Sequence, residues 1–254
     1  MSKIISIVSG KGGVGKTTSV INIGSALSKF GYDTIIIDGN VDTPDLGLHL
    51  GMPNQGTNLQ DVLTDEKSVY ETVYLHPNGV KVVPAGINMW SLMNLSKNNL
   101  KKIKGLKNYC NAILLDCPPG INDEAENCIK VSDEVIVVTN PNILSTTDAL
   151  KAVVMARKHK KKVLGVLINR KNGKDYEMSD ANISEFLGIP LLGVVPEDEK
   201  VMKSLNERKT VVDAYPSSKA SIGFKKIAAK IMGQEYKDIE EGLWYKFKKL
   251  LKLN

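Results

Sequence analysis

The 254-residue sequence predicts a doubly wound α/β domain: a mostly parallel sheet with helices on both faces. Three observations lead there. Short aliphatic and β-branched runs alternate with stretches of helical spacing, and the runs are apolar on both faces, as strands covered from both sides must be. Acids and asparagines stand at or near the ends of the runs, at Asp38, Asp116, Asn140, Asn169 and Asp198. Function gathers at the carboxyl ends of the strands in such sheets. A glycine-rich turn joins the first run to the first helix.

That first stretch, residues 4–18, reads IISIVSGKGGVGKTT. It fits G-x-x-x-x-G-K-[ST], with Gly10, Gly15, Lys16 and Thr17 at the fixed positions. Glycines let the backbone curl so that several N–H groups converge on one phosphate, where a Cβ would obstruct. The helix that follows adds its positive end. Lys16 supplies a mobile cation for the outer phosphates, and the Thr17 hydroxyl a ligand for Mg²⁺. The run Gly10, Lys11, Gly12, Gly13, Val14, Gly15, Lys16, Thr17 and Thr18 is therefore the expected cradle of a nucleotide.

The first helix is expected over 17–30. Val20, Ile23, Leu27 and Phe30 repeat at helical spacing, and Gly31 stops it. TIIID (34–38) is a buried strand that ends in an acid. Further strands are expected at 80–86, 112–120, 134–141, 163–170 and 190–198, with crossover helices at 58–64, 96–108, 123–131, 145–159, 179–187 and 199–206. In 112–120, AILLDCPPG, an apolar strand delivers Asp116 to the sheet edge, where a carboxylate binds Mg²⁺, usually through water. One domain is expected over 1–236, followed by a polar linker and a terminal helix in 237–254.

Composition narrows the class. The net charge is +6, and the last twelve residues hold four lysines and no acid, so most of the excess sits in the tail. Cys110, Cys117 and Cys128 form no C-x-x-C pair, and their odd number argues against a disulfide framework, which points to a reducing cytoplasm. The first apolar run ends in the glycine-rich loop, too early for a signal peptide. No apolar run approaches the 18 or so residues needed to span a bilayer.

The tail, GLWYKFKKLLKLN, is the second informative stretch. On a helix, Leu243, Trp244, Phe247, Leu250 and Leu251 fall within an arc of about 120°. Lys246, Lys248, Lys249 and Lys252 cover the remainder. Such a helix lies in a membrane interface, with aromatics at the headgroup level and cations against anionic lipid. It is too short to hold its form free in water, so folding is expected on the bilayer.

KGGVGKT, with Lys11 as well as Lys16, resembles the deviant Walker A motif of the MinD/ParA class of P-loop ATPases. The resemblance covers about 1–236. It implies ATP with Mg²⁺ as ligands, and a nucleotide-dependent homodimer in which Lys11 reaches the partner's phosphates. Asp116 resembles the Walker B acid, and Gly120 the glycine that senses the γ-phosphate. IIIDGNVDTPDLGLHLG (35–51) resembles the first switch region. Asp38 matches the first acid of its D-x-D, whereas the second, which positions or activates the attacking water, is Asn40 here. An amide can orient water but cannot take its proton. Proton abstraction counts for little in a loose phosphoryl-transfer transition state. Slow hydrolysis is therefore expected, with Asp42 as the substitute acid. LINR (167–170) and VPED (195–198) resemble the segments that hold adenine, with Asn169, Pro196, Glu197 and Asp198 as the residues concerned. The tail resembles the membrane-targeting sequence of MinD.

The resemblance therefore implies a slow, partner-activated ATPase in the cytoplasm, peripheral on the inner face of the cell membrane. It would position the division site or a similar machine together with an activator or cargo protein. The alternatives are a ParA-type partition ATPase on DNA, a regulator of flagellum or pilus placement, and a nucleotide-gated scaffold with little turnover. Nucleic acid is the less favoured partner. Cluster-carrying members of the class need a cysteine pair that this sequence lacks.

Overall fold

A computed structural model of the chain describes residues 2–52, 55–86 and 97–236. The tail residues from Leu243 to Lys252 lie outside them. In chain order come β1 (Lys3–Val8), α1 (Lys16–Lys29), β2 (Thr34–Asp38), α2 (Leu46–His49) and α3 (Leu59–Leu63). A 3₁₀ turn (Val69–Thr72), β3 (Tyr74–Leu75), β4 (Lys81–Val83) and a 3₁₀ segment (Lys97–Tyr109) lead into β5 (Ala112–Asp116). Then follow α4 (Asp123–Val131), β6 (Glu134–Thr139), α5 (Ile143–Lys158), β7 (Lys162–Lys171), α6 (Asp180–Leu187), β8 (Leu191–Pro196), α7 (Glu199–Asn206), α8 (Val211–Ala214) and α9 (Lys219–Ile231).

The eight strands form one sheet in the order β3-β4-β2-β5-β1-β6-β7-β8. All pairings are parallel except β3 with β4. Alternation along each strand feeds two cores. Ile35, Ile37, Ile113, Leu115, Val135 and Val137 face the side covered by α3, α4, α5 and α6. Ile36, Leu114, Ile136 and Val138 face the side covered by α1, α8 and α9. The doubly wound expectation is thus met, including the antiparallel edge that large parallel sheets often carry.

The observed elements differ from the expected ones in several places. The crossover at 96–108 is a 3₁₀ segment in place of an α-helix. The strand expected over 80–86 is a strand only at Lys81–Val83. α9 was not foreseen, although it packs on both α1 and β8 and completes one face of the sheet. Among the described residues no helix is long and apolar enough to cross a membrane.

Asp213 of α8 ties that face together. Its Oδ2 accepts from Thr210 Oγ1 (2.6 Å), Asn78 Nδ2 (2.9 Å) and Ser25 Oγ (3.1 Å), and its Oδ1 pairs with Lys29 Nζ at 2.9 Å. Burial pushes the carboxyl up, but these donors outweigh it and the net shift is downward. Its contribution to stability is therefore present above the unfolded carboxylate value and is lost as the pH falls through the folded one. Asp213→Ala leaves several donors unmatched and is expected to cost about 1–3 kcal/mol at neutral pH, with the difference shrinking in acid. Urea titrations at two pH values check both statements.

Candidate functional site

The glycine-rich loop leaves β1 at the carboxyl edge of the sheet and enters α1 through Gly15. Gly13 and Gly15 have φ of 77° and 95°, a region that favours glycine. Gly15 has a second reason: a Cβ there would lie 2.2 Å from Asn169 Nδ2. Gly10 is held by packing, since a Cβ would lie 1.9 Å from the Asp148 carbonyl oxygen on α5. Asn169 Nδ2 donates to the Val14 carbonyl at 2.8 Å, and Asn140 Nδ2 donates to the Asn169 carbonyl at 3.1 Å. The loop is thereby fastened to the ends of β6 and β7.

Two cavities flank the loop. One, of about 640 Å³, is walled by Gly12, Gly13, Gly15, Lys16 and Thr17 on one side and by Asn40, Asp42, Thr43 and Asp45 on the other. The second, of about 430 Å³, lies between α2 and α7, with Leu48, Val201, Met202 and Leu205 as apolar walls. Asn169, Pro196, Glu197 and Asp198 all line it. Thr18, Leu48, His49 and Arg170 line both cavities, so the two adjoin.

Beneath the first cavity sit the acids. Asp116 is 1% exposed, and neither of its carboxylate oxygens has a hydrogen-bond partner. Desolvation pushes its carboxyl up to about 7, although Lys16 and the nearby Thr17 hydroxyl pull it down. Asp38 is fully buried and lies well above the usual carboxylate range, through desolvation and then through the charges of Asp116 and Asp45. The backbone N–H groups of Asn40 (3.1 Å) and Leu46 (3.3 Å) donate to it and oppose that rise. Paired acids without a compensating cation are costly. A cation beside Thr17 and Asp116 would remove the cost, so this donor set fits a hard, oxygen-liganded divalent ion.

The Thr17 hydroxyl itself donates to Asp45 Oδ1 at 3.1 Å. Asp45 was missed in the sequence, where nothing in its spacing separates it from Asp42. Asn40 lines the cavity with its amide engaged: Nδ2 donates to the Thr43 carbonyl at 2.6 Å, which holds the turn at 40–43. Asp42 is exposed on the same wall. Gly10, Lys11 and Val14 belong to the loop but not to the cavity walls. Gly120 has φ 81° and faces the Gly10 carbonyl. Asp198 spends both carboxylate oxygens on backbone N–H groups, of Lys200 (3.0 Å) and Ala220 (3.2 Å), so it caps α7 and anchors the start of α9. Cys117 is buried and packed, not poised to react.

Residues 1–232 match the ParA family, described as NUBPL iron-transfer P-loop NTPase. An uncharacterised ATP-binding protein of Methanocaldococcus jannaschii is 34% identical over 237 residues, which cover 93% of this chain and 90% of that protein. The crystal structure of the Pyrococcus furiosus cell division ATPase MinD superposes with a TM-score of 0.88 at 33% identity, over 92% of this chain and 99% of that one. The septum site-determining protein MinD of Pyrococcus horikoshii, complexed with Mg-ADP, gives 0.87 at 32% identity, over 91% and 96%.

Proposed function

Because the chain belongs to the ParA family of P-loop NTPases, we propose that it is a MinD-like ATPase. In this reading Mg-ATP closes a homodimer, the paired tails rest on anionic membrane, and hydrolysis releases them. The reading is carried by one observation: a complete phosphate loop above a buried, unpartnered Asp116 next to Lys16 and Thr17. The iron-transfer wording of the family description is not adopted, since Cys117 and Cys128 are each 1% exposed.

The purine occupies the smaller cavity, between the apolar walls of α2 and α7. The Asn169 amide uses its N–H edge on Val14, which leaves its carbonyl edge for the amino group of adenine. Pro196 and Glu197 close the rim. The phosphates lie along the loop, with Lys16 on the outer ones. Thr17, which now donates to Asp45, would be a ligand of the metal, and Asp116 and Asp38 would hold it, usually through water. Mg²⁺, when bound, neutralises charge on the phosphates as the terminal group leaves. Asn40 and Asp42 face that end of the cavity, and Asn40 orients the attacking water. Lys11, half-buried outside the cavity, is free to serve a second copy. Ile121, Ile143 and Leu144 are 39%, 56% and 71% exposed and follow the strand ends on either side of the loop, which gives that copy an apolar seat.

Residues 243–254 supply the membrane contact, with about 1 kcal/mol for each lysine plus the apolar face. One tail binds weakly and two bind together, so pairing becomes a membrane switch. The protein is then peripheral on the inner face of the cell membrane and positions a division site or similar machine with a partner protein. DNA binding is less well supported, because the basic run at 158–162 is largely used within the fold. Lys158 pairs with Glu126, Lys162 with Glu134, and Lys161 donates to two backbone carbonyls.

Vesicle sedimentation tests the proposal. Pelleting is expected to require both ATP and anionic lipid, and deletion of 243–254 is expected to abolish it while nucleotide binding stays intact. Equal pelleting with ADP removes the switch, and pelleting of the truncated chain moves the membrane contact elsewhere.

A further inference from the structure

Among the described residues, four non-glycine residues have left-handed backbone: Asp65, Lys160, Arg170 and Arg208, with φ of 55–66°. Three of them have a local explanation. Asp65, Lys160 and Arg208 each stand just past the C-cap of a helix, namely α3, α5 and α7, where the chain commonly turns left-handed to satisfy the last carbonyls. Arg170 has none of this. It lies within β7, where a bulky non-glycine residue seldom takes φ 58°.

The register explains how it gets there. β7 and β8 pair Asn169 with Val195 and then Lys171 with Pro196, so Arg170 is the extra residue of a bulge. Bulges next to functional sites re-aim a side chain. This one turns Arg170 out of the sheet at the junction of the two cavities, both of which it lines. Its side chain is half exposed, and its nearest acid, Glu197, stands 3.9 Å away. That distance is too long for a firm hydrogen-bonded pair. The fold therefore holds a strained backbone to present an uncommitted guanidinium midway between the base pocket and the phosphate loop.

We propose that Arg170 is a nucleotide-binding residue that grips the phosphate end of a nucleoside di- or triphosphate from the base side. The inference rests on the nucleotide reading of the cavities. A guanidinium offers forked N–H donors suited to phosphate oxygens, which a lysine reproduces only as a point charge. Arg170 thus complements Lys16, which approaches the phosphates from α1 on the other side of the loop.

The test uses two replacements that tolerate left-handed backbone, Arg170→Gly and Arg170→Asn, together with Arg170→Lys. Binding of adenosine and of Mg-ADP is measured by calorimetry at low and at high salt. In the Gly and Asn variants, affinity for Mg-ADP is expected to fall about tenfold, adenosine affinity to hold, and the salt dependence of ADP binding to weaken. Arg170→Lys is expected to recover part of the loss. Unchanged ADP affinity overturns the proposal, and so does an equal loss for adenosine and ADP, which would make Arg170 a support of the base pocket. If the unsubstituted chain binds no Mg-ADP, the nucleotide reading itself fails, and that outcome is distinct from both.

Discussion

Lys16→Ala is expected to abolish measurable binding of ATP and ADP. Lys16 is 8% exposed and opens α1, so its ammonium is confined where the phosphates would lie. Its charge also pulls the Asp116 carboxyl down. Its removal takes away several charge-assisted hydrogen bonds, each about 1.5–3 kcal/mol, and leaves the buried acids to repel the incoming phosphates. A loss of a hundredfold or more follows from about 3 kcal/mol. Calorimetry with Mg-ADP measures it, and the thermal stabilisation by Mg-ADP should vanish with it. Unchanged affinity would overturn the phosphate-loop assignment.

Asp116→Asn is expected to change sign with ligand. Without nucleotide the wild-type carboxyl titrates at about 7 in the fold, far above the roughly 3.9 of an unfolded chain. Stability from this group is therefore full below pH 4, is lost as the pH rises from there through 7, and is absent above. Replacing it by an amide of the same shape should stabilise the unliganded protein by about 1–4 kcal/mol at pH 7–8, with the gain fading towards pH 4. With Mg-ADP the order should reverse, because the wild-type carboxylate then has a cation to serve. Melting curves at two pH values, with and without Mg-ADP, check all four states. An unliganded variant less stable than wild type at pH 8 would refute the view that Asp116 awaits a cation.

Most of the frame was legible from the residues because it rests on local signals. The apolar period gave the strands, and the glycine spacing gave the loop. The acid that ends an apolar run gave Asp116. What escaped depends on neighbours far along the chain. Asp45 acquires meaning only from the Thr17 hydroxyl, 28 positions away. Met202 and Leu205 read as one face of an amphipathic helix, yet they wall a cavity. Arg170 looks like a surface arginine until its register against β8 is known. Asp198 ends the adenine-type segment, but its carboxylate is committed to backbone N–H groups that the sequence places 2 and 22 residues onward. The 3₁₀ segment at Lys97–Tyr109 was read as α-helix because lysines and leucines at helical spacing do not distinguish the two windings.

One contact links the smaller cavity to the glycine-rich loop. Asn169 holds the Val14 carbonyl and occupies the space above Gly15. The part that would sort purines and the part that would grasp their charged ends are therefore joined through one side chain. A base of the wrong shape would not merely fit poorly. It would push on the amide and so spoil the grip on the far end of the same molecule, which makes discrimination at one site a property of the whole cleft.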